Sequence, residues 1–283
     1  MIYVIGGRGR LGRAIEASCP RGEVVVLDRA TYQDWWRDDA GASITRFFRN
    51  AEPGSSVFVT AGLLDPAVSE AEHTRVNFQL PAHIIESACQ LGLRVITFGT
   101  VMERLVEHPN PYVASKAALG RFVADQAATG RPVTHLQIHT LYGGGEPAPF
   151  MFLGQLYGAL REGTPFEMSP GRQLREYHHI DDDVAALSAM LNAGAIGVVH
   201  LSHGEPCSLR ELAQHIFAAL GQPELLRLGV RPEPAQDNYS TILSRSQGSE
   251  QVSFRPALEG VTDFLRALLS SFHREHEHQQ RPA

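Results

Sequence analysis

The sequence has few cysteines, no long apolar run and no excess of positive charge, and each shortage excludes a class of protein. Its three cysteines have neither the spacing of a metal site nor the number of a disulfide framework, which fits a reducing compartment. No apolar run approaches the roughly 18 residues that a membrane-spanning helix needs. The net charge of −6 leaves no broad basic surface for nucleic acid. We therefore expect a cytoplasmic protein that binds neither membrane nor nucleic acid.

Lysine is scarcer still: Lys116 is the only lysine, and every other fixed cation is arginine. It follows Tyr112 by four residues, which places both side chains on one face of a helix. A compact ammonium group beside a phenol favours the phenolate and is expected to lower the pKa of the tyrosine. Such a tyrosine can act as a general acid or base near neutral pH. Because this spacing also occurs in simple surface contacts, it leaves that alternative open.

Short apolar strands alternate with helical segments in the first half of the chain. Strands are predicted at 2–5, 23–27, 57–59, 94–98 and 133–138, and helices at 11–18, 32–49, 76–91 and 111–128. This alternation is typical of an α/β protein with a Rossmann-type, doubly wound parallel sheet. Beyond it, strands are predicted at 176–180 and 198–201, and helices at 152–161, 182–192, 208–220 and 258–272.

Prolines become frequent after residue 145, and this change predicts a second, smaller lobe. We expect a dinucleotide-binding domain at 1–145, with residues 176–203 packing back onto it. Residues 146–175 and 204–272 would form a C-terminal substrate-binding lobe. The polar residues 273–283 are expected to be a flexible tail.

Three glycines follow the first predicted strand and precede the first predicted helix. Gly6, Gly9 and Gly12 permit a tight turn there and let backbone N–H groups approach a pyrophosphate at the start of the helix. The strand–turn–helix context distinguishes them from ordinary turn glycines. The pattern predicts dinucleotide binding.

The second strand ends at Asp28, near the separation of about 20 residues expected for an acid that binds a ribose 2′-hydroxyl. Its carboxylate would repel a 2′-phosphate and so favours NAD. Arg8 and Arg29 lie close enough in sequence to weaken that preference, so NADP stays open. The alternative for Asp28 is an ordinary turn residue.

Thr100 lies just beyond the strand predicted at 94–98, at the carboxyl edge of the expected sheet. A hydroxyl at this edge can hold a substrate oxygen beside the phenol of Tyr112. The alternative is a threonine that only caps a turn.

The order and spacing of these residues resemble the extended short-chain dehydrogenase/reductase family, in particular its nucleotide-sugar epimerase, dehydratase and reductase branch. The resemblance covers nearly the whole chain and extends to further segments, namely 60–62, Asn77, 142–143, 171–177, 180–182 and 254–256. It implies that Tyr112 is the proton donor or acceptor for a sugar carbonyl or alcohol. It also implies that Lys116 binds the nicotinamide ribose and that Thr100 binds the reacting oxygen.

The resemblance further implies a set of binding residues and an oligomeric state. The cofactor contacts expected besides Tyr112 and Lys116 are Gly6, Gly9, Arg10, Leu11, Gly12, Asp28, Arg29, Ala61, Gly62 and Asn77. The substrate contacts expected besides Thr100 are Thr140, Arg175 and Arg231. Thr140 stands where the family has an asparagine, which leaves its contact with a pyrophosphate open, and surface positions are the alternative for the two arginines. A homodimer is expected on the same ground.

The function implied is that of an NAD(P)-dependent oxidoreductase acting on a nucleotide-activated sugar. Dehydratases of the family have an Asp-Glu pair directly after the threonine, whereas Val101 and Met102 here cannot transfer a proton. We therefore expect a reductase of a 4-keto-6-deoxyhexose, with an NAD-dependent C4 epimerase as the alternative enzyme. A non-catalytic NAD(P)-sensing protein is the alternative of another class. The histidines at 178–179, 200, 203 and 273–278 are not expected to bind metal.

Overall fold

A parallel sheet lies at the centre of the computed structural model, which describes the backbone of residues 1–279 and the side chains of residues 1–274. The strands in chain order are β1 Ile2–Ile5, β2 Val24–Leu27, β3 Ser56–Val59, β4 Arg94–Thr100, β5 Val133–Ile138, β6 Thr140–Tyr142, β7 Phe166–Glu167, β8 Leu174–Arg175, β9 Tyr177–His179, β10 Gly197–His200, β11 Cys207–Ser208 and β12 Leu226–Arg227.

The helices that join these strands, in chain order, are α1 Arg10–Ser18, α2 Arg29–Tyr32, α3 Gly41–Phe48, α4 Glu70–Thr74, α5 Leu80–Gln90, α6 Met102–Leu105, α7 Pro111–Ala128, α8 Phe152–Glu162, α9 Ile180–Asn192, α10 Leu209–Ala219 and α11 Ala257–Gln279. A π-helical turn at Arg75–Gln79 joins α4 to α5, and a 3₁₀ turn lies at Pro223–Leu225. Within the described chain, no helix is both long and apolar enough to cross a bilayer.

The central sheet has the strand order β10-β5-β4-β3-β1-β2, and each of its neighbouring pairs is parallel. The chain runs from β1 outward to β2 and then returns to β3 on the other side of β1. This reversal is the topological switch point at which open α/β sheets bind ligands beyond the carboxyl ends of their strands. The predicted Rossmann-type α/β fold is confirmed.

The helix predicted at 32–49 is wrong in its first half. Helix α2 ends at Tyr32 and α3 begins at Gly41, with turns between them. Trp35 in this connection is buried at 4% exposure, and its ring packs against Phe47 and Phe48 of α3. The aromatic residues that suggested one helix therefore pack the turn before α3 against α3.

The helix predicted at 76–91 begins earlier, as α4, and contains the π-helical turn. Pro81 follows as the second residue of α5. A proline has no N–H and crowds the carbonyl four residues before it, here that of Asn77, so a regular helix cannot pass through this point. The wider π turn accommodates the proline, and such turns are frequent at functional sites.

The chain forms two compact units. The first contains residues 1–139, 183–202 and 245–252; the second contains 140–182, 203–244 and the described chain from 253 onward. Residues 176–182 and 203, predicted to pack onto the first domain, group with the second unit. Helix α11 continues past residue 272 through Gln279, and residues 280–283 of the predicted tail lie outside the described part.

Each unit has its own hydrophobic core. In the first unit, strands β1, β3 and β4 contribute Ile5, Val57 and Val95, and the flanking helices cover them. In the second unit, Tyr142 and Tyr177 pack with residues of α8, α10 and α11. The strands that contribute these buried side chains also lead to Thr60, just after β3, and to Thr100, at the end of β4. The core of the first unit therefore fixes the position of this carboxyl edge of the sheet.

Candidate functional site

The glycine turn after β1 brings bare backbone into close contact with the sheet. A Cβ atom at Gly6, whose φ is +89°, would lie 2.4 Å from the backbone nitrogen of Ala61. One at Gly12 would lie 2.6 Å from the Cα atom of Gly7. Gly9 is the N-cap of α1, so the first backbone N–H groups of that helix, from Arg10 onward, are presented at the turn. These features fit a pyrophosphate, which needs close backbone approach and N–H donors.

A cavity of about 350 Å³ lies beside this turn. Its lining includes Gly6, Gly9 and Gly62, and the rings of Tyr32 and Trp36 contribute flat apolar surface. A dinucleotide requires this combination, since its phosphates need backbone and its base needs a flat surface. The residues present therefore fit NAD. The two aromatic residues were not predicted as site residues, because a turn rather than the expected helix carries Trp36 here.

A methyl group at Gly6 should disrupt the turn and the cofactor site together. Gly6→Ala is expected to lower the free energy of unfolding by about 3 kcal/mol or more, because the left-handed φ and the collision with Ala61 act together. It should also weaken NAD binding more than tenfold. Gly22→Ala is the matched control: its φ is +87°, but its Cβ would meet nothing within 4 Å. Denaturant titration and a binding isotherm measure both effects, and equal losses in the two variants would contradict this role.

Asp28 lies where the sequence predicts it, at the carboxyl end of β2. Its carboxylate is 81% exposed and lies 3.5 Å from a guanidinium nitrogen of Arg8. An exposed pair of this kind contributes little stability, so it does not prevent the carboxylate from accepting hydrogen bonds. Arg8 and Arg29 both line the cavity. The choice between NAD and NADP stays a prediction.

Tyr112 and Lys116 are positioned by the start of α7. Asn110 caps this helix by accepting a hydrogen bond from the N–H of Val113 at 2.9 Å, and Pro111 occupies the first turn. Lys116 is only 7% exposed, and its Nζ donates to the carbonyl oxygen of Phe98 in β4 at 2.8 Å. The lysine therefore lies inside the protein at the carboxyl end of β4, and the alternative of a surface contact is wrong for it.

The predicted effect of Lys116 on Tyr112 is not the one found. Burial raises the pKa of Tyr112 above its usual value, and the carboxylate of Glu103 raises it further. Burial also lowers the pKa of Lys116 to about 8, which Glu103 partly opposes. The expectation of a lowered tyrosine pKa is corrected, because burial and the neighbouring carboxylate of Glu103 both act to raise it.

Thr100 is the last residue of β4 and is half-buried. Its backbone N–H donates to Oε1 of Glu103 at 2.7 Å, and its hydroxyl oxygen accepts from the N–H of Met102 at 3.3 Å. The turn-capping interpretation is therefore correct, but it uses only the acceptor side of the hydroxyl. A hydrogen bond donated by Thr100 to a substrate oxygen stays a prediction.

Asn77 fixes the loop that follows β3. Its Oδ1 accepts from the N–H of Leu63 at 2.8 Å, and its Nδ2 donates to the carbonyl of Leu63 at 2.9 Å and to Oγ of Ser115 at 3.1 Å. A Cβ atom at Gly62 would lie 3.4 Å from Nζ of Lys116. Asn77 thus ties this loop to α7, next to the lysine. Direct contacts of Ala61, Gly62 and Asn77 with a cofactor stay predictions.

A buried polar network, which was not predicted, lies next to the tyrosine and lysine. Glu103 accepts from Nε2 of Gln137 at 2.9 Å and lies 3.3 Å from Nε2 of His135. Nδ1 of His135 lies 2.8 Å from the hydroxyl of Thr97. The sequence did contain a signal for this network. His135 and Gln137 lie on one face of the internal strand β5, where buried polar side chains need hydrogen-bond partners. Gly99 of β4 lies opposite Gln137 and leaves room for such a partner.

The predicted substrate residues outside the sheet all belong to the second unit. Thr140 is the first residue of β6, and its N–H donates to the carbonyl of Glu176 at 3.3 Å. The guanidinium of Arg175 pairs with Asp237 at 2.5 Å and is 19% exposed. Arg231 is exposed. The roles of Thr140, Arg175 and Arg231 in substrate binding stay predictions.

The second unit also contains a histidine–carboxylate cluster with metal-ligating side chains. Among the described residues, Glu176, His178 and His203 place one ligand atom each within 4.8 Å of one another. However, Nδ1 of His203 accepts from the N–H of Glu205, which leaves the proton on Nε2, the atom that faces Glu176. The carboxylate of Glu176 also accepts from the N–H of His203 at 2.8 Å. These contacts indicate a hydrogen-bonded support for the loop; the absence of a metal site stays a prediction.

A glycine turn at the switch point of a parallel sheet, with a buried lysine one helical turn after a tyrosine, defines a Rossmann-type dinucleotide-binding protein. The chain belongs to the NAD dependent epimerase/dehydratase family, whose model matches residues 2–200. This result confirms the predicted family and a cofactor of the NAD type.

Individual relatives show partial similarity. The dTDP-4-dehydro-6-deoxy-D-allose reductase of Streptomyces bikiniensis is 30% identical over 155 residues, 52% of this chain and 46% of that protein. A 3-diazoavenalumate denitrifying reductase of a Streptomyces species is 26% identical over 178 residues, 56% of this chain and 57% of that protein. The chain thus spans about half the length of these curated relatives.

A solved structure resembles nearly the whole chain. MoeE5 in complex with UDP-glucose and NAD has a TM-score of 0.74 to this chain at 23% identity, and the similarity covers 96% of this chain and 99% of the other. At this identity the similarity establishes the fold.

Proposed function

We propose that this protein is an NAD(P)-dependent reductase that converts the ketone of a nucleotide-activated 4-keto-6-deoxyhexose to an alcohol. The observation that carries the proposal is the buried Lys116 one turn after Tyr112, at the carboxyl edge of β4 in the unit that holds the glycine turn. The two curated relatives described above are both named reductases, and one is named for a dTDP-linked 4-dehydro-6-deoxy sugar. These names support reduction more directly than epimerisation.

A reduced nicotinamide dinucleotide held at the glycine turn would supply the hydride. The phenol of Tyr112 donates its proton to the oxygen of the reduced carbonyl, and the hydroxyl of Thr100 holds that oxygen. Lys116, fixed by the carbonyl of Phe98, orients the ribose next to the nicotinamide. The fixed relative positions of donor, acceptor and substrate would contribute much of the rate.

The phenol of Tyr112 stays protonated at neutral pH, since burial and the carboxylate of Glu103 raise its pKa. A phenol that keeps its proton at neutral pH is prepared to donate it, whereas oxidation of an alcohol begins with a phenolate that accepts one. An epimerase needs the same tyrosine in both states during one turnover. A protonated phenol is compatible with reduction, and the preference over the alternative C4 epimerase rests on the names of the relatives.

Substrate recognition belongs to the same proposal. Arg231, which is exposed, and Arg175 would bind the diphosphate, since guanidinium groups donate paired hydrogen bonds to phosphate oxygens. Arg175 would have to share its guanidinium with Asp237. Thr140 would add a hydroxyl donor. We also propose a homodimer located in the cytoplasm, which light scattering after gel filtration and cell fractionation would test.

The decisive experiment offers the purified protein 4-keto-6-deoxyhexoses linked to dTDP, UDP, GDP and CDP, each with NADH or NADPH. We expect oxidation of the dinucleotide in a one-to-one ratio with formation of the sugar alcohol, and NADH preferred because of Asp28. Inversion at C4 of a nucleotide sugar, by protein that purifies with stoichiometric NAD, would instead establish the epimerase. Normal NAD(P) binding without turnover of any sugar would favour the non-catalytic sensing protein.

A further inference from the structure

The carboxylate of Glu103 occupies a space that two glycines leave open. A Cβ atom at Gly99 of β4 would lie 2.0 Å from Oε1 of Glu103, and one at Gly120 of α7 would lie 2.9 Å from Oε2. Gly120 follows Tyr112 and Lys116 at intervals of four residues, so all three lie on one face of α7. The carboxylate therefore lies on the same helix face as the tyrosine and lysine, adjoining the next turn.

Glu103 is held in this space by hydrogen bonds from three directions. The backbone N–H of Thr100 donates at 2.7 Å, Nε2 of Gln137 donates at 2.9 Å, and Nε2 of His135 lies at 3.3 Å. The side chain is only 3% exposed. Burial opposes its ionisation, but the bonds from His135, Gln137 and Thr100 prevail and lower the pKa of Glu103 below its usual value. The group is therefore a buried anion at neutral pH.

Both residues of the proposed proton-transfer pair interact with this anion. Glu103 stabilises the ammonium form of Lys116 and the neutral phenol form of Tyr112. Two histidines lie on the same side of the site: His135 contacts Glu103, and the ring centroid of His73 of α4 is 6.2 Å from that of Tyr112. Nδ1 of His73 is hydrogen-bonded to Asn77 and its Nε2 to a backbone carbonyl.

We propose that Glu103, held against the helix face that carries Tyr112 and Lys116, is a positioning residue whose charge favours the neutral phenol and the ammonium ion, and so supports proton donation by the site. The proposal rests on the proposed reductase function for its meaning in the reaction. Thr100, at the end of β4, contributes to the same arrangement, because its backbone N–H donates a hydrogen bond to the carboxylate of Glu103. Val101 and Met102 carry no acid, so Glu103 supplies the first carboxylate after Thr100. It acts on Tyr112 and Lys116 through its charge and transfers no proton itself.

The test uses the single lysine of the chain. Protein labelled with ¹³C only at lysine Cε gives one methylene signal, from Lys116, and its pH dependence reports that ammonium group directly. The midpoint is expected near pH 8. In Glu103→Gln, which keeps an oxygen acceptor for Thr100 but no charge, the midpoint should fall by about one pH unit. Glu107→Gln, the same change at an exposed position four residues later, should leave it unchanged.

An unchanged midpoint in folded Glu103→Gln would overturn the proposal. If that variant does not fold, Glu103→Met replaces the carboxylate with an uncharged side chain of similar length and carries the same expectation. The measurement needs no sugar, so it judges Glu103 even if the proposed reductase function fails.

Once a substrate is identified, the pH dependence of kcat/KM provides a second test of the charge of Glu103. The alkaline decline of kcat/KM for ketone reduction reports loss of the donating phenol and of the ammonium ion. In Glu103→Gln this decline should move to lower pH, because both groups lose their proton more easily. A variant with lower kcat at every pH and an unmoved profile would show a merely structural role and overturn the proposal.

Discussion

Tyr112→Phe is expected to lower kcat/KM for reduction by about 10²–10⁴-fold while leaving NAD binding intact. The substitution removes the hydroxyl that donates the proton and keeps the ring, which packs near His73. Because α7 begins with its own cap at Asn110, loss of one hydroxyl at Tyr112 should not move the helix. Steady-state kinetics and a cofactor-binding isotherm measure the two quantities separately.

Tyr3→Phe is the matched control for this prediction. It removes a hydroxyl from the same unit, at a ring that packs against Phe47 and Phe48 rather than at the sheet's carboxyl edge. Its kcat/KM should stay within about twofold of the parent, because the ring keeps its packing and Tyr3 lies near the amino end of β1, at the opposite end of the strand from the glycine turn. Near-normal turnover by Tyr112→Phe would show that Tyr112 is not the proton donor.

Lys116→Met is expected to separate stability from activity. Burial lowers the pKa of Lys116 from 10.5 to about 8, so at neutral pH folding holds a charged group in an environment that disfavours it. By linkage this difference corresponds to about 3 kcal/mol of lost stability. Loss of the hydrogen bond from Lys116 to the carbonyl of Phe98 offsets this gain by about 1 kcal/mol. The variant should therefore gain about 2 kcal/mol in the free energy of unfolding and lose nearly all activity.

The pH dependence of stability gives the sign of this effect. Between about pH 8 and pH 10.5 the unfolded chain keeps the proton on this lysine while the folded chain releases it. Stability contributed by Lys116 therefore rises with pH across that window and is lowest below pH 8. The advantage of Lys116→Met over the parent should shrink in the same window and reverse above it to about 1 kcal/mol in favour of the parent, which keeps the hydrogen bond to Phe98; urea unfolding at several pH values would show this.

Arg121→Met is the control for removal of a cation from the same helix. Arg121 is exposed, so its loss should change the free energy of unfolding by less than about 0.5 kcal/mol and should not depend on pH in this range. If Lys116→Met is instead destabilising by several kcal/mol, the ammonium group is better solvated or better paired than the contacts with Phe98 and Glu103 indicate.

Some elements follow from local sequence because local chemistry decides them. Helix α7 is predicted to the residue, since Pro111 fits the first turn of a helix and leucine, alanine and valine continue it. The glycine turn follows from the requirement for close backbone approach at Gly6 and Gly12. Other elements fail because packing rather than periodicity decides them: Trp35 packs against Phe47 and Phe48 of α3, and this contact requires a turn where the apolar pattern of 32–49 suggests one helix.

The sequence by itself determined the Rossmann-type fold, the family and the residues of the glycine turn, because these depend on spacing along the chain. Only the tertiary structure revealed the charge environment of Tyr112. Glu103 is close to it through the folding of α6 against β4 and β5, and burial depends on what packs around a residue. The sign of a pKa shift is a balance of desolvation and neighbouring charge, and both are properties of three-dimensional position.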